Sequence, residues 1–149
     1  MTDDWSPEDS GTFINLQEFG RCIEFRHPEA RLPKWQTIQN YFPRLIDRSP
    51  SPRRFFVSHR WDSDEHPDPT GWQLAALLDL ADHYNYNEPN ICFWYDYMSL
   101  PQKNRSDAQE AIFRAGLNNI RHTVEACENI LLISQKNDIK SDAVGALLH

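Results

Sequence analysis

Cysteine is scarce in this chain, which contains only Cys22, Cys92 and Cys127. The count is odd and no Cys-x-x-Cys spacing occurs, so the pattern fits a reducing compartment better than secretion. Cys92 lies within an apolar run, where a free thiol behaves as a small hydrophobic side chain. A cytoplasmic location is the resulting prediction.

A long hydrophobic run is also missing, and so is an excess of positive charge. No segment approaches the length that spans a membrane, and residues 1–5 lack the apolar stretch of a signal peptide. Asp and Glu number 22 against 15 Lys and Arg, whereas a surface that binds nucleic acid needs the opposite balance. We therefore expect neither a membrane nor a nucleic acid among the partners.

Aromatic residues are plentiful, at 12% of 149 residues, which is enough to fill the core of one compact domain. Three apolar runs are typical of buried strands, at residues 55–57, 91–95 and 130–133. The second run does not alternate, which favours a central parallel strand covered on both faces. Because helical patterns separate the runs, we predict an α/β three-layer sandwich with right-handed crossovers.

Both helical patterns begin with capping-box spacing, Thr70 with Gln73 and Ser106 with Gln109. The second pattern extends to about residue 125, with Gly116 as a candidate break. The first continues with apolar residues at i, i+3, i+4 and i+7, which form one face of a helix: Leu74, Leu77, Leu78 and Ala81.

Residues 1–50 are predicted to be an N-terminal extension, and residues 51–149 to be the α/β domain. Residues 1–12 are polar and are expected to be loose. Apolar spacing over residues 13–46 predicts helices that form an accessory layer, and Pro43 should end or kink the second of them. Two Ser-Pro steps at residues 49–52 indicate an extended connector before the core.

The residues that follow the predicted strands resemble those of TIR domains. The first strand continues into S-H-R-W at residues 58–61 and then H-P-D-P-x-G at residues 66–71. The second strand continues into W-Y-D-Y-x-x-L-P-Q, which occupies residues 94–102. Both signatures are similar to those of one TIR-like subgroup, and the resemblance covers residues 53–134. It implies a flavodoxin-like fold with a parallel sheet.

The resemblance also implies a ligand. Many TIR domains cleave NAD, or convert it into a cyclic nucleotide signal, in immune and anti-phage defence, whereas others only bind one another. In the NAD-cleaving members the ligand lies across the carboxyl ends of the first strands. The residues that this implies as ligand contacts are Ser58, His59, Arg60 and Trp61 after the first strand, Asp96, Tyr97, Ser99 and Leu100 after the second, and Ser134 after the third.

The side-chain chemistry suits such a ligand, although simpler alternatives exist. Arg60 can hold pyrophosphate or ribose oxygens through its planar guanidinium, and Trp61 or Tyr97 can stack on a flat ring. Alternatively, Trp61 packs in the core and Asp96 only orders the loop that follows it. His59 is then a hydrogen-bonded structural residue rather than a base.

The catalytic residue of NAD-cleaving TIR domains is a Glu after the third strand, whose carboxylate stabilises an oxocarbenium-like transition state. The corresponding residues 135–149 contain no Glu, and Asp138 and Asp142 are their only acids. No catalytic residue is therefore assigned. The chain resembles a TIR domain that is incomplete at its C-terminal end, which leaves one sheet edge for a partner chain or the N-terminal region to cover.

Two functions follow as hypotheses. The first is a TIR-like nucleotide-binding domain, weak or inactive by itself as an NAD+ nucleosidase of the glycohydrolase or cyclase type, with NAD as candidate substrate or ligand and no cofactor. The alternative is a non-catalytic signalling module that forms a homo-oligomer or binds other TIR-like chains. The acidic loop at residues 62–68 begins like a calcium loop, but Pro67 stands where glycine is required, so no metal site is predicted.

Overall fold

In the part of the chain that the structure describes, four strands form one sheet at the centre of the fold: β1 Ile14–Asn15, β2 Arg53–His59, β3 Ile91–Trp94 and β4 Asn129–Ile133. The structure is a computed structural model, and it describes residues 5–84 and 90–134. The order across the sheet is β1-β3-β2-β4, with β2 parallel to both β3 and β4 and with β1 antiparallel to β3. The three predicted strands and their parallel arrangement are thus confirmed.

Helices and short helical turns connect the strands. Within the described ranges, no helix has the length and apolar character needed to cross a membrane. The α-helices are α1 Leu16–Arg21, α2 Trp35–Tyr41, α3 Trp72–Tyr84, α4 Asp96–Ser99, α5 Asp107–Asn118 and α6 Ile120–Ala126, and single 3-10 turns occur at Pro7–Ser10, Ile23–Arg26 and Pro43–Leu45.

Side chains that alternate along β2 divide the core into two layers. Phe55 and Val57 point into the layer that α1, α2 and α3 cover. Phe56 belongs to the opposite layer, where its ring stacks on Trp94 with 5.0 Å between the centroids and where α5 and α6 also pack. The structure therefore confirms an α/β architecture with a mixed, mostly parallel sheet. The parallel order β3-β2-β4 is compatible with the flavodoxin-like strand order.

The N-terminal region is built into this core. Ile14 in β1 is fully buried, and Phe19 in α1 meets Phe93 edge-on with 5.5 Å between the ring centroids. Because β1 pairs with β3, this region covers one edge of the sheet. The accessory layer expected from residues 13–46 is present, and residues on both sides of position 50 share one hydrophobic core. The domain division at residue 50 stays a prediction.

The expectation of a loose N-terminus is wrong from residue 5 onward. Ser10 is fully buried, and its backbone carbonyl accepts a hydrogen bond of 2.7 Å from Trp94 Nε1. Its hydroxyl accepts a hydrogen bond from Trp5 Nε1 and forms another with the Thr123 hydroxyl. Sequence polarity was misleading here because a serine whose carbonyl and hydroxyl are both hydrogen-bonded can be buried at little cost.

The two predicted capping boxes have different outcomes. Ser106 and Gln109 form theirs at the start of α5, with reciprocal bonds of 3.0 and 3.1 Å. At the start of α3 the prediction is wrong, because the Asp68 carboxylate accepts the backbone N–H groups of Gln73 and Leu74 instead. The side chain of Gln73 takes no part in this cap and is buried in the protein interior.

The break between α5 and α6 falls at Asn119 rather than at Gly116. Gly116 has a packing role, since a Cβ atom on it would collide with Leu100 Cδ2. Pro43 acts as predicted, because α2 ends at Tyr41 and a 3-10 turn begins at the proline. Ile23 does not continue the helical face of α1, and it is 75% exposed.

One test of the shared core is the substitution Ile14→Ala. We expect it to lower the free energy of unfolding by about 2–5 kcal/mol, because a fully buried isoleucine loses its packing. Urea unfolding followed by tryptophan fluorescence and by far-ultraviolet circular dichroism should show one shifted, coincident transition. The control Ile23→Ala removes a 75% exposed side chain and should shift stability by less than about 0.5 kcal/mol. Two separate transitions would contradict a shared core.

Candidate functional site

The Asp96 carboxylate joins the carboxyl ends of β2 and β3. Its Oδ1 accepts a hydrogen bond of 2.8 Å from His59 Nε2 and one of 2.7 Å from the backbone N–H of Tyr97. Its Oδ2 accepts a 3.0 Å bond from Trp61 Nε1. The structure therefore brings together four of the residues predicted for the site, two from each strand end. Asp96 does more than order the loop that follows it.

This carboxyl group is held in its ionised form. Burial raises the pKa of Asp96, but the hydrogen bonds from His59, Trp61 and the Tyr97 amide outweigh burial and leave the pKa below its usual value. An ionised carboxylate accepts hydrogen bonds and donates none. The side chain is 39% exposed and Oδ2 has one donor among the described residues, so this oxygen has room for a donor from a ligand.

His59 serves as a hydrogen-bond donor within the protein. Its side chain is only 3% exposed, and its ring stacks on Tyr95 with 3.9 Å between the ring centroids and 15° between the planes. The bond from Nε2 to Asp96 assigns the proton to that nitrogen, while Nδ1 is buried and has no partner among the described residues. A ring enclosed in this way does not reach a ligand, which favours the structural role for His59 over that of a base.

Two aromatic side chains form the exposed part of this arrangement. Trp61 and Tyr97 are both half-buried, and their rings meet edge-on with 5.7 Å between the centroids. The Tyr97 ring also lies next to the His66 ring, with 4.8 Å between the ring centroids. Trp61 is held at its N–H by Asp96 and at its ring by Tyr97, so its orientation is fixed before any ligand arrives. The alternative that Trp61 only fills the core does not fit its partial exposure.

Arg60 and Ser134 leave neighbouring strands at the same level, since the register pairs His59 with Ile133. Arg60 is exposed, and no carboxylate in the described part of the chain pairs with its guanidinium. Ser134 is half-buried. Ser58 is also half-buried, but its side chain points to the opposite face of the sheet from His59, because side chains alternate along a strand.

Ser99 and Leu100 have internal roles. Ser99 is fully buried, and its hydroxyl accepts a 2.9 Å hydrogen bond from the backbone N–H of Tyr95. Leu100 is buried in the core layer that contains Trp94, and it also packs against Gly116. That either side chain contacts a ligand stays a prediction, but both already have partners inside the protein.

Gln73 and Tyr95 support the site from behind, and sequence reasoning missed both roles. The Gln73 side chain accepts a 2.6 Å hydrogen bond from the Tyr95 hydroxyl and donates to the backbone carbonyl of Arg60. Burial raises the pKa of Tyr95, so its phenol keeps the proton that it donates. A signal was present in the sequence, because Gln73 shares a helical face with the apolar Leu77 and Leu80, and a polar residue on a buried face needs internal partners.

The acidic loop is used for folding. Asp68 is fully buried and caps α3, and Asp62 accepts a hydrogen bond from Trp72 Nε1. Asp64 and Glu65 are exposed. Nowhere in residues 5–84 and 90–134 do three His, Cys, Asp or Glu side chains come together as a metal-binding group.

Nucleophilic chemistry by cysteine does not fit this fold. Burial raises the pKa of the Cys127 thiol to about 12, and burial together with a hydrogen bond to Glu24 raises that of Cys22 to about 11. Cys92 is fully buried, and burial raises its pKa as well. None of the three is therefore a thiolate near neutral pH.

The stretch expected to carry a catalytic carboxylate, residues 135–149, lies outside the described residues. Two cavities of about 420 and 430 Å³ lie away from the strand ends. The first is lined by residues between Glu18 and Leu45, and the second includes Gly11, Asp47 and Arg54. Neither of these two cavities is lined by residues of the candidate site, and no described residue at the strand ends is assigned as a nucleophile.

Comparisons with protein-family models, with curated proteins and with solved structures found no match for this chain. The likeness to TIR domains therefore depends on the residues quoted from the sequence and on their arrangement.

The ionised state of Asp96 predicts a pH dependence of stability. A carboxyl whose pKa is lowered by folding stabilises the protein above its unfolded pKa of about 3.9, and this contribution is lost as the pH falls through the lower, folded pKa. Asp96→Asn should therefore be less stable than the wild type at pH 7, and the difference should shrink below about pH 4. Urea unfolding of both proteins at pH 7 and below about pH 4 measures this difference in stability. An equal difference at the two pH values would show that the charge of Asp96 does not cause the loss of stability.

Proposed function

We propose that this chain is a TIR-like domain that binds NAD or a related nucleotide at the carboxyl ends of β2, β3 and β4. The observation that supports this most strongly is the Asp96 carboxylate, which is oriented by His59 and Trp61 and has an oxygen open to a further donor. Arg60 lies between His59 and Trp61 in the chain, has no carboxylate partner in the described ranges and supplies a cation. An acceptor for hydroxyls and a cation for phosphates are what a nucleotide requires.

The contacts follow from the chemistry of each group. Asp96 Oδ2 accepts a hydrogen bond from a ribose hydroxyl, and the Arg60 guanidinium holds pyrophosphate oxygens through paired N–H donors. The indole of Trp61, already fixed by Asp96 and Tyr97, offers a face for a base or nicotinamide ring. These contacts select a ligand that combines a flat ring, a sugar and phosphate.

The position in the sheet supports the same ligand. In open α/β sheets ligands bind outside the carboxyl ends of the strands, where the strand order reverses. The first parallel strand in the chain, β2, lies between the other two. The next strand, β3, is on one side of it, and β4 is on the other side. Arg60 and Ser134 directly follow the two strands between which this reversal occurs, β2 and β4.

Binding is proposed here without efficient cleavage. Breaking the glycosidic bond of NAD needs a carboxylate that stabilises an oxocarbenium-like transition state. Asp96 already accepts three hydrogen bonds from the protein, and residues 135–149 contain no Glu. A cytoplasmic role in defence or signalling, through nucleotide binding rather than turnover, is the corresponding proposal.

Self-association is the second candidate function, and the free side of β4 favours it. Within the described residues β4 pairs with β2 alone. Two of its side chains on the same face, Ile130 and Leu132, are 48% and 58% exposed. An edge strand with one side unpaired in the described structure and with exposed apolar side chains is a surface to which another chain can add.

The nucleotide proposal is tested by titrating the protein with NAD in a calorimeter. We expect saturable binding by the wild type, and Arg60→Gln should weaken the affinity by about tenfold or more because the phosphate contact is lost. The matched control is Arg121→Gln, which makes the same change of charge at an 88% exposed side chain on α6 and should leave the affinity within about twofold. Absence of NAD binding by the wild type would refute the proposal, and steady release of nicotinamide would refute the absence of cleavage.

The second candidate function predicts that oligomer formation depends on β4. Sedimentation at increasing protein concentration should show association in the wild type, and Leu132→Asp should abolish it because a charge then replaces an exposed apolar contact. Ile23→Asp, at another exposed apolar position, serves as the control and should leave association unchanged. A wild type that stays monomeric at all concentrations would exclude this function.

A further inference from the structure

Gln73 is the most completely bonded polar side chain behind the candidate site. It is fully buried, and its Nε2 donates one hydrogen bond of 3.0 Å to the carbonyl of Arg60 and another of 3.0 Å to the carbonyl of Pro67. Its Oε1 accepts the bond of 2.6 Å from the Tyr95 hydroxyl. Both N–H groups and the oxygen of the amide are thus used, each toward a different segment of the chain.

These segments are the ones that shape the site. Arg60 follows β2 directly, so its carbonyl fixes the path of the backbone between His59 and Trp61. The carbonyl of Pro67 also accepts the backbone N–H of Asp62 at 3.0 Å, which closes the loop after Trp61. Gln73 therefore determines where the chain goes on both sides of the predicted ligand contacts.

Tyr95 extends this network to the carboxylate. Its hydroxyl is held by Gln73, and its ring stacks on the His59 imidazole with 3.9 Å between the centroids. His59 in turn donates to Asp96 Oδ1. A displacement of the Gln73 amide is transmitted through one hydrogen bond and one ring contact to the donor that orients Asp96.

We propose that Gln73 is a positioning residue for ligand binding, which sets the backbone at Arg60 and, through Tyr95 and His59, the orientation of the Asp96 carboxylate. This inference rests on the proposed nucleotide site. The choice of glutamine follows from the geometry, because the position requires two donors and one acceptor. Glutamate near neutral pH supplies no donor, and methionine supplies neither donor nor acceptor at similar volume.

Affinity is the first readout. Gln73→Met should weaken NAD binding by about tenfold in calorimetry, and Tyr95→Phe, which removes a single hydroxyl, should weaken it by a smaller factor. The control Thr123→Val removes another fully buried hydroxyl, which donates to the Asn119 carbonyl and is hydrogen-bonded to the Ser10 hydroxyl on the far side of the sheet. It should lower stability and leave the affinity within about twofold. Wild-type affinity in both Gln73→Met and Tyr95→Phe would overturn the proposal.

Nuclear magnetic resonance of the ligand-free protein separates positioning from binding. The ring N–H signals of His59 and Trp61 report directly on their bonds to Asp96. They should move in Gln73→Met and Tyr95→Phe and stay in place in Thr123→Val. If NAD does not bind the wild type but these signals move, the nucleotide proposal fails and the positioning of Asp96 by Gln73 stands. If Gln73→Met does not fold, NAD affinity and the ring N–H signals are measured in Tyr95→Phe instead. Signals that do not move in this variant would refute the proposed positioning of Asp96 through Tyr95 and His59.

Discussion

The hydrogen bonds that His59 and Trp61 donate to the Asp96 carboxylate hold together the ends of two strands whose backbone pairing has already stopped. The last paired residues of β2 and β3 are Phe56 and Trp94, so side chains must bridge the strands beyond that point. Partial burial of a carboxylate is costly, and charge-assisted donors offset the cost. The same donors keep Asp96 ionised. The packing of the strand ends and the electrostatics of the candidate site thus have one cause.

The N-terminal region contributes to the same end of the molecule. The Gln36 amide on α2 donates to the backbone carbonyl of Gln102 at 2.8 Å and accepts its backbone N–H at 3.1 Å. The backbone N–H of Thr12 donates to the carbonyl of Ser99 at 2.9 Å. The segment that follows β3 is therefore held by residues from the start of the chain. A site at the strand ends depends on those residues although none of them belongs to the signatures from which it was predicted.

Sequence patterns predicted the structure correctly where it depends on interactions between residues close together in the chain. The apolar runs predicted three strands, and the spacing of Ser106 with Gln109 predicted a capping box that forms within one turn. The same spacing at Thr70 failed because Asp68 reaches the free amides of α3, while Gln73 finds better partners in Tyr95 and in the Arg60 carbonyl. Two identical patterns differed in outcome because one lies on an exposed helix start and the other faces the core.

The sequence by itself determined the three parallel strands and the cluster of polar residues at their carboxyl ends, because apolar runs and intervening helices leave few topologies open. It did not indicate the short antiparallel strand β1. Only the tertiary structure decided which of those residues are exposed. It enclosed His59 and Ser99, left Arg60 without a carboxylate partner in the described ranges, and determined that Gln73 and Tyr95 are partners of each other. Burial and hydrogen-bond partners depend on contacts between residues distant in the chain, such as Gln73 with Tyr95 and His59 with Asp96, and spacing along the sequence does not specify those contacts.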